Sequence, residues 1–581
     1  MTVKRLVSLI LTVSLLAGMS FAFAEGGQRF DTRNYDVFAI DLDRKLDKQW
    51  PLFFFDGVDD MPWIEMEELT ELLNLIEAKV YKEPGYHVDC RQEGSAVTLT
   101  RENGFYMTLD FDSSILVFND YNGFIQDPAR GSLLDLLSIT GVNEKGEAEL
   151  FQRDTLASYD CNGRAIVLNL TDYGIKPIFE DGRGYIPLQT ANDLVFSPQM
   201  KRALLFNGSA VFLANHDDML LEKENDLSPL AYLYFSAEPT LRSQAFADFG
   251  KNELCLMLDC MYGLKQKHNI TSFENAFWQI GFDEALAAAD TVSADQALRS
   301  YISYYLDDLH STFAFPSWMT GMGAELQGGQ GNSSRQNTAQ SKQYKKARTD
   351  ALGENVESYQ EVGNTAYITF DEFTFDHDES VSDYYKAAES GERLNDTIGL
   401  IAYAHRQINR ENSPIENVVV DLSNNVGGAA DAALFVISWL VGEAEVSVED
   451  AFTGAQSTMV YRADINMDRE FDEKDALQGK HVYCLISPVS FSCGNLVPAV
   501  CKANQAVTLI GRTSGGGACE VQPMSTAWGS TFQISGNKRL SFRKNGSFYD
   551  IDEGVAPDIY ITHIETLYDR EKLNSLINGL Q

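Results

Sequence analysis

The chain has 581 residues, more than a single hydrophobic core supports, so two to four domains are expected. A hydrophobic fraction of 44%, with 34 Phe and 25 Tyr, excludes a mostly disordered chain. Lys and Arg number 46 against 84 Asp and Glu; the net charge of -38 argues against nucleic acid or an anionic membrane surface as partner. Most of this acid reads as plain solubility.

In chain order, the first element is an export signal. Lys4 and Arg5 precede the apolar run LVSLILTVSLLAG, and the small-residue pattern AFA ends at Ala24. This is the layout of a secretory signal peptide over 1–24. Its cleavage removes two basic residues and no acidic ones, and no Cys at the junction offers a lipid anchor. No later stretch is long and apolar enough to span a bilayer, so a secreted, extracytoplasmic protein is expected, with no membrane insertion after cleavage.

Residues 25–235 read as an N-terminal α+β accessory region. PLFFFDGVDDMPWI (51–64) and PIFEDGRGYIPL (177–188) share an aromatic strand, an Asp-Gly turn and then Pro, which suggests two related modules. A helical segment follows over 236–326, with apolar residues at three- and four-residue spacing in KNELCLMLDCMYGLKQ and ADQALRSYISYYLDDLH. The polar stretch 327–348 reads as a linker. From 349 to 581 strands and helices alternate: NTAYITF, NVVVDLS, HVYCLIS and AVTLIG as strands, with helices between. That alternation predicts an α/β core with βαβ units and a mainly parallel sheet.

Eight Cys stand at 90, 161, 255, 260, 484, 493, 501 and 519, with no C-x-x-C pair. Neither a zinc ribbon nor a redox dithiol is supported, and those in apolar runs read as buried hydrophobes.

Functional groups in open α/β sheets gather at the carboxyl ends of strands. Two such ends are distinctive. DLSNNVGG (421–428) places Gly427 and Gly428 at a strand-to-helix turn, where uncovered N–H groups offer an oxyanion hole. Alone, it is equally a tight turn. SPVSFSCGNL (487–496) presents a serine at a helix N-terminus, as a nucleophile or, taken alone, as an N-cap at Ser490 or Ser492. TLIGRTSGGGACEVQP (508–523) and EGVAPDIYI (553–561) follow.

Together these motifs resemble the C-terminal-processing and tricorn-core serine peptidase family, over about 240–581. Asp421, Leu422, Asn425, Gly427 and Gly428 match its first motif, Ser492 its nucleophile, and Gly554, Pro557 and Asp558 its last. The resemblance implies a crotonase-like (ClpP-like) core and a serine peptidase of the tail-specific type. One branch activates the serine with a lysine 25 residues later; Gly517 stands there. The tricorn-like branch uses a histidine, and YYLDDLHSTFAF (304–315) resembles its segment, which makes His310 the implied base; His405 is the fallback. The acid that orients the site is open among Asp550, Asp552 and Glu553, with Asp552 favoured, and Ser311 is the neighbouring hydroxyl. The oxyanion would rest on Gly427 or Gly428 and on the N–H of Cys493. Cys493 is also a rival thiol nucleophile, one residue off the pattern.

A further motif is separate from the peptidase pattern. DINMDREFDEKD (464–475) places Asp464, Asn466, Asp468, Glu470 (by its carbonyl), Asp472 and Asp475 at the spacing of a calcium loop, against a bland alternative of a solvated acidic loop. A structural Ca²⁺ is expected there; catalysis requires no cofactor. The expected partner is a peptide or protein substrate. Two other functions compete: an inactive peptidase fold that binds peptides or cell-surface polymers, and a crotonase-type thioester enzyme, which an export signal disfavours.

Overall fold

The computed structural model describes residues 29–76, 87–125, 134–137, 150–153, 163–219, 228–321, 324–375 and 381–580. The expected signal peptide and Cys161 lie outside these residues. Among them, no helix is long and apolar enough to cross a membrane.

The two similar stretches of the N-terminal region lie side by side in one five-stranded sheet. Trp50–Phe55 meets Trp63–Glu65, and Ile178–Glu180 turns back on Arg183–Pro187, with Tyr185 opposite Glu65. Asp181 and Gly182 both take positive φ (50° and 75°), as a tight hairpin requires. Each arm then enters a helix, Met66–Leu75 and Leu188–Ala191. A five-stranded meander within 88–169 and a four-stranded sheet complete the region.

Helix α1 (Gln244–Met261) is capped by Ser243 and α2 (Thr291–Tyr301) by Asp290. One apolar core runs from Val37 through both helices to Met524, Trp528, Phe532 and Ile534 near the C-terminus. The division expected at 235/236 therefore falls inside a continuous core. Strand β1 (Thr312–Phe315) leads on toward the stretch expected to be a linker. Instead, Asn332–Leu352 forms a 21-residue helix, α3. It contains no Gly or Pro and is rich in Ala, Gln, Lys and Arg, all good helix formers. Tyr344 and Ala347 anchor it in the core, and Arg348 grips Asp371 with both guanidinium nitrogens, at 2.6 and 2.5 Å.

The C-terminal half matches the expected α/β alternation. Strands β2 (Tyr359–Val362), β3 (Thr365–Thr369) and β4 (Asn417–Asp421) precede β5 (Ala444–Asp450), β6 (Gln456–Ala463), β7 (His481–Ile486), β8 (Thr508–Gly511), β9 (Cys519–Ser525), β10 (Thr531–Lys544) and β11 (Ile559–Tyr560). One sheet has the order β2-β3-β4-β7-β8-β11; β2 is antiparallel to β3 and every other pair is parallel. Helices α4 (Thr397–Ile408), α5 (Ala430–Val441) and α6 (Cys493–Ala503) connect its strands. Both faces are covered, one by α4 to α6 and the other by Tyr344, Ile564 and Leu573, which explains the unbroken apolar runs in β4 and β7. A second, antiparallel sheet joins β6, β5, β10 and β1, with β9 also on β10.

Asp295 of α2 ties the helical segment to the β9–β10 hairpin. It is fully buried and accepts from Ser317 N, Thr320 Oγ1 and Trp528 Nε1, each at 2.8 Å, and from Ser530 Oγ. Replacing it by Ala strands those donors without acceptors, so Asp295→Ala is expected to lose about 3 kcal/mol or more of stability in urea unfolding.

Candidate active site

The site lies at the carboxyl ends of β4 and β7. Two buried hydroxyls stitch these ends together: Ser487 Oγ donates to Ser423 O at 2.5 Å and Ser490 Oγ to Leu422 O at 2.7 Å. Ser490 is thus structural. Ser492 differs. It stands at the start of α6 with φ 55° and ψ −122°, a conformation costing about 1–3 kcal/mol, and its hydroxyl makes no capping bond. Its N–H donates to Gly516 O at 2.9 Å, and its carbonyl accepts from Asn495 N and Leu496 N. The backbone is held on both sides while the hydroxyl stays available.

Gly427 faces this turn at φ 108°. A Cβ there would lie 2.6 Å from Ser492 Cβ, so the position must be glycine. The Gly427 N–H is already spent on Asn425 Oδ1 at 2.9 Å. Among the described residues, the N–H groups of Gly428 and Cys493 meet no acceptor; Cys493 follows Ser492, and Gly428 follows the Gly427 that faces it. Of the three oxyanion candidates, these two can serve. The Cys493 thiol donates to Gly428 O at 3.2 Å, and burial pushes its pKa up to about 12. A thiol held so firmly protonated is a poor nucleophile at neutral pH.

His310 reaches the same place from the loop before β1. It is 5% exposed, and its ring packs on Phe491, the residue before Ser492, with centroids 4.6 Å apart. Burial lowers its pKa below the ordinary 6.5, against the opposing pull of Asp308 and Asp552. It is therefore neutral at pH 7, the form a base needs. Neither its ring nor the Ser492 hydroxyl has a hydrogen-bond partner among the described residues. His405, the fallback, is structural: its Nδ1 accepts from Trp439 Nε1 at 3.1 Å, and burial pushes its pKa down to about 4.

Asp308, not singled out from the sequence, fixes the His310 loop. It accepts from His310 N, Ser311 N, Ser311 Oγ, Ser535 Oγ and Tyr262 Oη, at 2.7–3.1 Å. Ser311 also accepts from Ser535 N, so its hydroxyl is a structural tie. Asp552 is buried and accepts from Ala518 N at 2.9 Å and from Lys267 Nζ at 2.6 Å. Burial acts to raise its pKa, but Lys267 and the Ala518 N–H outweigh that and bring it below the ordinary value. Lys267 also pairs with Glu553 at 2.6 Å. Asp552 is thus bound to a lysine rather than to the imidazole, though its charge is felt there. Asp558 is a brace: it accepts from Leu509 N and pairs with Lys502 at 2.8 Å.

A cavity of about 310 Å³ lies elsewhere, walled by Phe54, Leu205, Trp318 and Ala527 among others; none of the candidate catalytic residues lines it.

The loop 464–475 does not converge on a point. Among the described residues no three His, Cys, Asp or Glu side chains are placed to hold a metal. Asp464 accepts from Asp468 N, Arg469 N and Tyr385 Oη, and Asp475 from Ile465 N, Asn466 N and Asp472 N. Asn466 donates to Asp468 at 3.0 Å, Glu470 N donates to Asp468 Oδ1, and Asp472 pairs with Lys474 at 2.7 Å. Several of the oxygens expected around calcium close the loop through its own N–H groups.

The peptidase family S41 pattern matches residues 364–561, and the chain carries an S41 domain there. No curated protein matches the chain. Similar solved structures include the photosystem II D1 C-terminal processing protease (19% identity, 36% of this chain and 45% of that one, TM-score 0.26). Mature CPAF is similar at 11% identity (57% of this chain, 96% of that one, TM-score 0.35). The tricorn protease is similar at 11% identity (96% of this chain, 55% of that one, TM-score 0.28). The chain thus spans under half the length of the first of these.

The closed state of the 464–475 loop has a measurable consequence. Melting in millimolar calcium and in chelator is expected to give the same Tm; a rise of several degrees with calcium would show that the loop rearranges to take the ion.

Proposed function

We propose that this chain is an exported serine peptidase in which Ser492 attacks a peptide carbonyl and His310 takes its proton. The observation that carries this reading is Ser492 at φ 55° with an uncommitted hydroxyl, followed by the unpartnered N–H of Cys493 and preceded by Phe491, whose ring packs on the imidazole of His310. His310 removes the hydroxyl proton as Oγ adds to the carbonyl carbon. The N–H groups of Gly428 and Cys493 receive the oxyanion, His310 returns the proton to the leaving amine, and water then releases the acyl group. Asp552 supplies a negative charge in reach of the imidazolium without bonding to it, and Asp308 holds the loop. Neither step needs a metal or an organic cofactor. Trimming of proteins from their C-termini is the substrate class that the family resemblance implies.

A second reading has one observation in its favour: Lys267 holds Asp552, and among the described residues no carboxylate is bonded to the His310 ring. A peptidase fold that binds peptides or cell-surface polymers without cutting them would look like this.

A fluorophosphonate probe separates the two. Wild type is expected to be labelled at Ser492, and Ser492→Ala and His310→Ala to lose roughly 10³-fold or more in peptide hydrolysis. An unlabelled wild type would leave the binding reading standing. Because burial depresses the His310 pKa, activity should persist at pH values below the ordinary histidine pKa of 6.5 and fall only as the ring protonates. A rate profile that drops above pH 6.5 on acidification would contradict that assignment.

A further inference from the structure

Phe491 stands between two serines, and its ring has a particular pair of neighbours. One is the imidazole of His310, tilted 54° to it at a centroid distance of 4.6 Å. The other is Gly517. A Cβ built on Gly517 would lie 2.4 Å from Phe491 Cε2 and 2.5 Å from its Cζ, so the ring fills the volume into which a side chain at 517 would grow. Gly517 also has φ 83°, a backbone that side-chain-bearing residues rarely adopt.

The Phe491 backbone is fixed on several sides. Its N–H donates to Asn425 O at 3.1 Å, its carbonyl accepts from Gly494 N at 2.8 Å, and it bridges to Gly516. The backbone that carries the ring is therefore fixed, and the ring itself meets His310 and the position where a Gly517 Cβ would lie. The His310 ring has no hydrogen bond among the described residues, so its orientation depends on packing, and Phe491 is the aromatic ring packed on it.

We propose that Phe491 is the positioning residue of this centre: its ring aims and dries the imidazole of His310, and it closes the space a side chain at 517 would need. This rests on the serine–histidine reading above. The aromatic residue at 491, the glycine at 517 and the histidine at 310 then form one interlocking set. A small residue at 491 would open the volume beside the base to water.

The charged groups that face His310 are Asp308 on its own loop and Asp552 on the segment before Gly554. Lys267 pairs with Asp552, and His268 lies within the field of the same two carboxylates. None of these is altered by a substitution at 491. What changes is the burial that keeps the ring neutral.

The test is the pH dependence of fluorophosphonate labelling at Ser492, in wild type, Phe491→Ala and Phe491→Leu, with the Tm of each. In Phe491→Ala, water reaches the imidazole and its pKa rises. The labelling rate should fall about fivefold more at pH 6 than at pH 8, moving the acidic limb to higher pH. Phe491→Leu restores the volume, and its acidic limb should return toward wild type. An acidic limb that stays in place in Phe491→Ala, with a Tm showing it folded, overturns the proposal. If Phe491→Ala does not fold, Phe491→Leu decides it: a limb displaced despite the filled volume and a native Tm also overturns it. Absence of labelling in the wild type would instead sink the serine–histidine reading itself.

Discussion

The site depends on one backbone constraint: a serine forced into left-handed geometry where strand β7 gives way to helix α6. At φ 55° the Ser492 side chain projects from the turn instead of folding back to cap the helix. The strain is held by bonds that do not involve the hydroxyl: its N–H on Gly516, its carbonyl on the first turn of α6, and the Ser487 and Ser490 hydroxyls pinning the neighbouring strand end. The glycines at 427 and 428 and the glycine loop at 515–517 then follow as requirements of close approach. Each lets a backbone come within a distance that a Cβ would forbid.

His310, the proposed base, arrives from a different part of the chain, and its placement is an electrostatic compromise. Asp308 is saturated by five donors, which stiffens the loop but leaves nothing for the imidazole. Asp552 is engaged by Lys267 and by the N–H that follows Gly517. A base held by packing rather than by a bonded carboxylate keeps a low affinity for protons in the resting state. In the proposed reaction the two carboxylates are the groups whose charge favours the imidazolium as it develops.

Much of the α/β half could be read directly from the residues. Strands β4 and β7 are buried on both faces, so their sequences are unbroken apolar runs, and the Gly-Gly and Ser-x-Ser turns that follow mark where the chain must bend sharply. Ser492 and His310 stood out as candidates because their local motifs are short and contiguous. Lys267 did not: its partner Asp552 is 285 residues away, and nothing in either local sequence announces the pair. Asp308 was hidden differently, as one of two adjacent aspartates whose role appears only when Ser535 and Tyr262 fold over it. Helix α3 was obscured by its polarity. Only Tyr344 and Ala347 of its residues are buried, too few to write a periodic stripe. The 464–475 loop shows the converse: ligand-like spacing is equally the spacing of a loop that satisfies its own N–H groups.

The core that joins Val37 to Ile534 has a consequence for the order in which the chain can assemble. Met524, Trp528 and Phe532 come from the last tenth of the sequence, yet they complete the packing under strands made at its beginning. During synthesis, the early sheets must wait as an open, oily half until the β9–β10 hairpin emerges to close them. The same hairpin carries Gln533, which holds the His310 carbonyl at 2.8 Å, and Ser535, which holds Asp308. Completion of the fold and fixing of the His310 loop are thus a single late event, and an unfinished chain lacks the contacts that hold that loop.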